Sequence, residues 1–209
     1  MEVVDRNISE KRLKLVQNGI LKGMDYTVYR DLISELAKNR QTTGEEQLES
    51  LINYTELNDR RMKRWDKTLK IPTEVQDKIA GIDSKITFLA LSESWCGDAA
   101  PSLPVINKIA ELNPNIDLKI VWRDENLDLM DQFLTNGSRS IPKVVIFDEK
   151  TQEVKGEWGP RPSIATQMVE EYKAEHSHLD AQFKQDLQLW YNKDKGQNTL
   201  EDILKLLFE

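Results

Sequence analysis

Ile86-Thr87-Phe88-Leu89-Ala90-Leu91-Ser92-Glu93-Ser94-Trp95-Cys96-Gly97-Asp98-Ala99 takes an apolar run directly into the one cysteine of the chain. The run Ile86–Leu91 is short and rich in β-formers, so it reads as a buried strand. Beyond the cysteine, Leu103, Val105, Ile106, Ile109, Ala110 and Leu112 follow a helical spacing that Asn113-Pro114 stops. Cys96 therefore falls where a strand gives way to a helix. Unpaired amide N–H groups and the positive end of the helix dipole favour a thiolate at such a place. Position 99 is alanine, so no second sulfur completes a dithiol motif.

Downstream, Ile116–Arg123 reads as a strand and Leu127–Leu134 as a short helix, followed by the turn signal Asn136-Gly137-Ser138. Lys143–Phe147 and Glu153–Trp158 read as a hairpin. Gly159-Pro160-Arg161-Pro162-Ser163 then breaks the sheet and opens a long helix reaching about Asn192, and a last helix covers Thr199–Phe208. Two strands joined by a helical crossover are parallel neighbours, whereas the closing hairpin is antiparallel. Pro104, inside the helix after Cys96, is expected to kink it or remove one backbone bond.

Upstream, residues 1–72 read as helical. Leu13, Val16 and Ile20, then Val28, Leu32, Ile33 and Leu36, recur at the spacing of buried helix faces. Thr43-Gly44-Glu45-Glu46 reads as the start of a third helix carrying Leu48, Leu51, Ile52, Leu57 and Trp65. Ile71-Pro72 ends it, since a residue before proline favours an extended backbone. A short helix, Thr73–Ala80, then leads into the first strand. The expected fold is α/β: a mixed sheet flanked by helices, with an all-helical N-terminal extension and extra C-terminal helices.

Composition narrows the function. The 209 residues are 39% hydrophobic and 31% charged, with a formal net charge of −7. An acidic surface repels phosphate, which argues against nucleic acid or an anionic membrane as partner. Arg60, Arg61, Lys63, Arg64 and Lys67 are read as a solvated helix face. The polar stretch Met1–Arg12 lacks the apolar segment of a signal peptide, and no apolar run is long enough to span a bilayer. A cytoplasmic protein is the expectation. One cysteine excludes an internal disulfide and a multi-cysteine metal site, and no metal or cofactor is expected. His176 and His178 are read as lying on different faces of one helix, and Trp122, Trp158 and Trp190 as packing residues.

The strand, Trp95-Cys96-Gly97-Asp98-Ala99, the proline-bearing helix, and Arg139-Ser140-Ile141-Pro142 before a hairpin together resemble the thioredoxin family. The resemblance covers about residues 73–175, so the organisation reads as a helical extension (1–72), a thioredoxin-like domain (73–175) and a C-terminal helical extension (176–209). The Trp-Cys-Gly-Asp-Ala form with helical additions is similar to a bacterial branch of that family. The resemblance implies a cis Ile141-Pro142 bond facing the cysteine, and a glycine, Gly159, after the last strand. It assigns attack on a disulfide to an exposed Cys96, and substrate contact to Trp95, Gly97, Asp98, Ile141 and Pro142. A carbonyl and an amide beside Pro142 would stay free to pair with an extended substrate.

Ala99 replaces the resolving cysteine of that family, and Ala90 stands where the family carries a buried acid. Asp98 opposes a thiolate two residues away, although as a first-turn acid it would favour the helix dipole. The chemistry implied is monothiol exchange with a protein disulfide or a small-thiol disulfide. The alternative is a redox-inactive module that binds in the groove between Trp95 and Pro142. Oligomeric state is open.

Overall fold

The computed structural model describes residues 2–208, with side chains from residue 9 onward. Strand β2 (Ile86–Ser92) is the axis of the molecule: all seven of its residues are buried. Successive strand side chains point to opposite faces, so complete burial means that both faces of the sheet are covered here. Its neighbours are β3 (Ile116–Trp122), parallel with Ile86 opposite Ile116, and β4 (Lys143–Asp148), antiparallel with Thr87 opposite Phe147. Strand β5 (Glu153–Trp158) closes the hairpin on β4, with a register shift at Ile146/Phe147.

A two-residue strand, β1 (Met24–Asp25), adds to the far edge against β3 and completes the order β1-β3-β2-β4-β5. Two residues carry no readable alternation, so this strand has no signal in the sequence. Helix α1 (Glu2–Lys22) lies against β2 and β3, and helix α2 (Tyr26–Lys38) follows β1 directly. Gly19 of α1 sits on the Leu89 and Leu129 side chains, where a Cβ would lie under 3 Å from either.

Helix α3 (Glu49–Thr68) starts three residues later than Thr43-Gly44-Glu45-Glu46 suggests. That stretch is a loop because Gly44 has φ +84° and the Thr42 and Thr43 hydroxyls are engaged with Ser94. Helix α4 (Thr73–Ala80) leads into β2, and α5 (Ala99–Glu111) leaves it without interruption through Pro104. Helix α6 spans only Leu127–Met130, since the chain turns at Thr135–Ser138 with Asn136 and Gly137 at positive φ.

The long helix expected from 163 to 192 is two helices, α7 (Ser163–Glu175) and α8 (Ala181–Asp194). His176 turns to an extended backbone, and the Asp180 carboxylate caps α8 by accepting from the Phe183 N–H at 2.7 Å. Both histidines thus lie in the break and share no helix. Helix α9 (Gln197–Phe208) packs on α5 and β5.

Two apolar clusters result. The main one joins the sheet to Val16, Tyr29 and Met62, so residues of the N-terminal extension share the core of the sheet. The second joins Trp65 of α3 to Ala165, Val169, Phe183, Leu187 and Tyr191 of α7 and α8. The two extensions therefore meet through this second cluster. Trp158 is buried, while Trp122 and Trp190 are partly buried at the margins of these clusters. No helix among the described residues is long and apolar enough to cross a membrane.

Gly159, directly after β5, has φ +113°, and a Cβ there would run into the Pro142 carbonyl. Gly159→Ala is expected to destabilise the fold by about 2 kcal/mol or more, from the backbone conformation and the clash together. Urea unfolding followed by tryptophan fluorescence measures this. An unchanged midpoint would show that the turn relaxes freely.

Candidate functional site

The loop between β2 and α5 holds the cysteine, and its geometry is set from behind by hydroxyl groups. The Ser94 hydroxyl lies 2.8 Å from Thr55 Oγ1, 3.1 Å from Thr42 Oγ1 and 3.2 Å from Thr43 Oγ1, and it accepts from the Thr43 N–H at 3.0 Å. The Ser94 N–H donates to Thr43 Oγ1, and Asn58 Nδ2 of α3 donates to the Ser94 carbonyl at 2.9 Å. The N-terminal extension thus grips the loop through several bonds at one residue.

Cys96 lies at the start of α5, with the amides of Asp98 and Ala99 directed at its sulfur. It is buried, with 5% of its surface exposed, which corrects the expectation of an exposed thiol. Its Sγ donates to the Ile141 carbonyl at 3.2 Å. The carbonyl expected to be free beside Pro142 is therefore taken by the thiol itself. Burial pushes the thiol up to about 12, and the neighbouring Asp98 charge adds to the rise, while the two amides oppose it. The helix terminus points the right way, but desolvation outweighs it.

Asp98 is buried and does not cap α5. Its Oδ2 forms an ion pair with the Arg161 guanidinium at 2.7 Å, and its Oδ1 accepts from the Tyr191 hydroxyl at 3.2 Å. Burial still raises the carboxyl above its usual range, against the lowering by Arg161 and Tyr191. Glu93, one of the last residues before the motif, is also buried. Its Oε1 accepts from the Asp124 N–H at 2.9 Å, and desolvation raises its pKa.

Trp95 is half-buried, with the Arg123 guanidinium 5.0 Å from its ring centroid. Gly97 faces open space, since nothing lies within 4 Å of where a Cβ would be. The Ile141–Pro142 and Gly159–Pro160 bonds are both cis. Arg139 makes a two-pronged ion pair with Asp131 at 2.7 and 2.9 Å, on the surface.

These residues form the floor of a groove of about 960 Å³. Trp95, Cys96, Gly97, Asp98 and Ile141 line it, whereas Pro142 is buried and lies outside the lining. The extensions add Leu51, Tyr54 and Arg61 of α3 and Lys184, Leu187 and Gln188 of α8 to its lining. Arg61 is half-buried against the groove, not one of a uniformly solvated row. Sequence reading missed Arg61, Arg161 and Lys184 as groove residues, and Tyr191 as a partner of Asp98, because only tertiary packing brings them there. Among the described residues, no group of three His, Cys, Asp or Glu side chains is placed to hold a metal ion.

Two measurements probe this geometry. A thiol held near pKa 12 is almost wholly protonated at neutral pH. Its alkylation rate should rise about tenfold per pH unit well beyond pH 9, since each unit multiplies the thiolate fraction. A plateau near pH 8 in an iodoacetamide titration would contradict the burial argument. Arg161→Leu leaves the Asp98 carboxylate buried without its cation, at an expected loss of about 3 kcal/mol, the lower end for a pair that keeps some solvent contact. The charge causes the loss, so the gap from the wild type should close as pH falls through the raised pKa of Asp98 in the folded wild type, below which both proteins hold a neutral carboxyl. A gap independent of pH would mean lost packing alone.

A chain of this architecture has solved counterparts. A protein of unknown function from Pseudomonas aeruginosa is similar at a TM-score of 0.62, with 18% identity over 90% of this chain and 94% of that one. An HIV epitope scaffold is similar at 0.61, with 17% identity over 91% of this chain and 96% of that one. These likenesses show the fold, and their coverage includes the helical additions. No curated protein matches. The thioredoxin family model matches residues 44–173, more than half of the sequence and inclusive of the cysteine loop, Ile141-Pro142 and both hairpin strands, and the chain belongs to the thioredoxin family.

Proposed function

We propose that the protein carries out thiol–disulfide exchange through Cys96 alone. The observation that supports this reading is the position of the sulfur. It sits on the floor of an open groove, at the start of α5, with the amides of Asp98 and Ala99 aimed at it. Those amides would stabilise the charge that develops on sulfur as it loses its proton. In the exchange, the Cys96 thiolate attacks one sulfur of a disulfide. A new sulfur–sulfur bond forms to Cys96, the old one breaks, and the departing thiolate takes up a proton. A second, external thiol reverses the step and frees Cys96. The net result is an exchanged disulfide, with no change in overall oxidation state. Ala99 leaves no internal sulfur to release the intermediate, so release depends on that external thiol.

In this reading Trp95 and Ile141 provide the apolar bed for the substrate, and Gly97 keeps one side of the sulfur open. Pro142 acts from behind, by holding Ile141 and its carbonyl against the thiol. Asp98 restrains the thiol: its charge disfavours the thiolate until a substrate brings a compensating positive charge or shifts the Asp98–Arg161 pair.

A second reading draws on the burial of Cys96 and the height of its pKa. A thiol kept protonated is suited to a groove that binds without reacting, with Trp95 and Ile141 as contacts. Intact-mass measurement after incubation with oxidised glutathione, with Cys96→Ser as control, separates the two. Exchange predicts one adduct on the wild type, none on the variant, and its removal by added thiol. An unmodified wild-type mass after prolonged incubation at pH 8 would end the exchange reading in favour of the binding one.

A further inference from the structure

The charge around Cys96 is opposite to that of the whole chain. The protein carries a net −7, yet the groove is lined by Arg61, Arg123, Arg139, Arg161 and Lys184 against a single acid, Asp98. Three of the five cations are already committed. Arg123 pairs with Asp124, Arg139 with Asp131, and Arg161 with Asp98. Arg61 and Lys184 have no carboxylate within ion-pair distance among the described residues. Among the described residues, the one side-chain bond of Arg61 is a long contact, 3.4 Å, to the neutral Asn58 Oδ1.

These two cations, Arg61 on α3 and Lys184 on α8, line the same groove as the Cys96 sulfur. Desolvation of Arg61, and then its neighbours Arg64 and Arg60, press its pKa down, whereas Tyr54 and Asp98 press it up. A half-buried guanidinium in this state gains from any anion that approaches, because charge-assisted bonds are the strong ones. The Arg161 Nε is likewise buried and without a partner among the described residues.

We propose that the groove selects a low-molecular-weight thiol or disulfide that bears carboxylates, with Arg61 and Lys184 as its anion-binding residues. The proposal deepens the exchange reading and rests on it for the chemistry at sulfur. Size supports a small occupant: about 960 Å³ lies within the range of small-ligand clefts, and residues of both α3 and α8 line it. Leu57, Leu187 and Trp95 supply apolar contact for the body of the ligand, and the two cations hold its ends. Charge of this sign also speeds the approach of an anionic substrate to an otherwise acidic protein.

The test uses S-methylglutathione, an anionic peptide whose sulfur cannot exchange, titrated calorimetrically into the full chain. Saturable binding is expected, weakened about tenfold by Arg61→Gln and by Lys184→Gln, and weakened by salt. Matching thermal melts of the variants establish that both are folded. No binding to the wild type, or variants that bind as tightly as the wild type, would overturn the proposal. Binding of a glutamate-rich peptide in its absence would overturn it too, by giving the groove to a protein partner. A second arm compares intact-mass adducts from oxidised glutathione, neutral hydroxyethyl disulfide and cationic cystamine. The glutathione disulfide is expected to react fastest in the wild type and to lose that lead in Arg61→Gln. Equal rates for all three would overturn charge selection while leaving exchange standing. Binding of S-methylglutathione with no adduct from any disulfide would end the exchange reading and leave the anion site in place.

Discussion

Burying the Asp98 carboxylate beside the thiol is the constraint around which the site is arranged. A carboxylate removed from water needs a cation and further hydrogen bonds, or it gives up its charge. The chain meets that need with Arg161 from the loop after β5 and Tyr191 from α8. Both partners lie far along the sequence, so the C-terminal helices cannot dock anywhere else without orphaning a buried acid. Trp65, Phe183 and Leu187 then pack around the same point and hold α8 against α3. The polar pair fixes the register of this packing, and the apolar cluster supplies most of its stabilisation.

The opposite end of the motif is held in a different manner. Ser94 is surrounded by threonine hydroxyls and by Asn58, all from the N-terminal extension. Between these two anchorages the cysteine has little freedom. Its sulfur rests on the Ile141 carbonyl, and burial keeps its proton in place. The helix dipole and burial therefore act against each other at one atom, and burial prevails at neutral pH. The groove that results belongs jointly to the sheet, which gives the floor, and the extensions, which add to its lining.

Much of this fold is legible locally. Ile86–Leu91 reads as a buried strand because it carries no charge and its one polar residue, Thr87, is itself a β-former, and Lys143–Phe147 with Glu153–Trp158 reads as a hairpin from its flanking turn residues. Other elements carry misleading local signals. The acidic pair Glu45-Glu46 looks like a helix first turn, but the threonines before it are engaged by Ser94 and the helix waits until Glu49. Asp180 is a sound capping residue that a periodic apolar pattern running past it conceals. The candidate site divides in the same way. Trp95, Cys96, Gly97 and Asp98 are readable because they are contiguous at a strand end. Arg61, Arg161, Lys184 and Tyr191 are not, since their meeting with the cysteine depends on three-dimensional packing. The burial of Cys96 is likewise a property of what covers it.

The hydroxyl cluster at Ser94 has one more consequence. Each of its members is uncharged and can reverse the direction in which it donates. The cysteine loop is thus fixed in place by groups that bring no net charge near the sulfur. An anchor built from ion pairs would have biased the thiol from behind and tied its behaviour to the ionic strength of the medium. With an uncharged mooring, the sulfur answers chiefly to its burial, to the Asp98–Arg161 pair and the α5 amides, and to whatever enters on the open side. That side can therefore diverge in its preference for ligands without the backbone beneath it having to move.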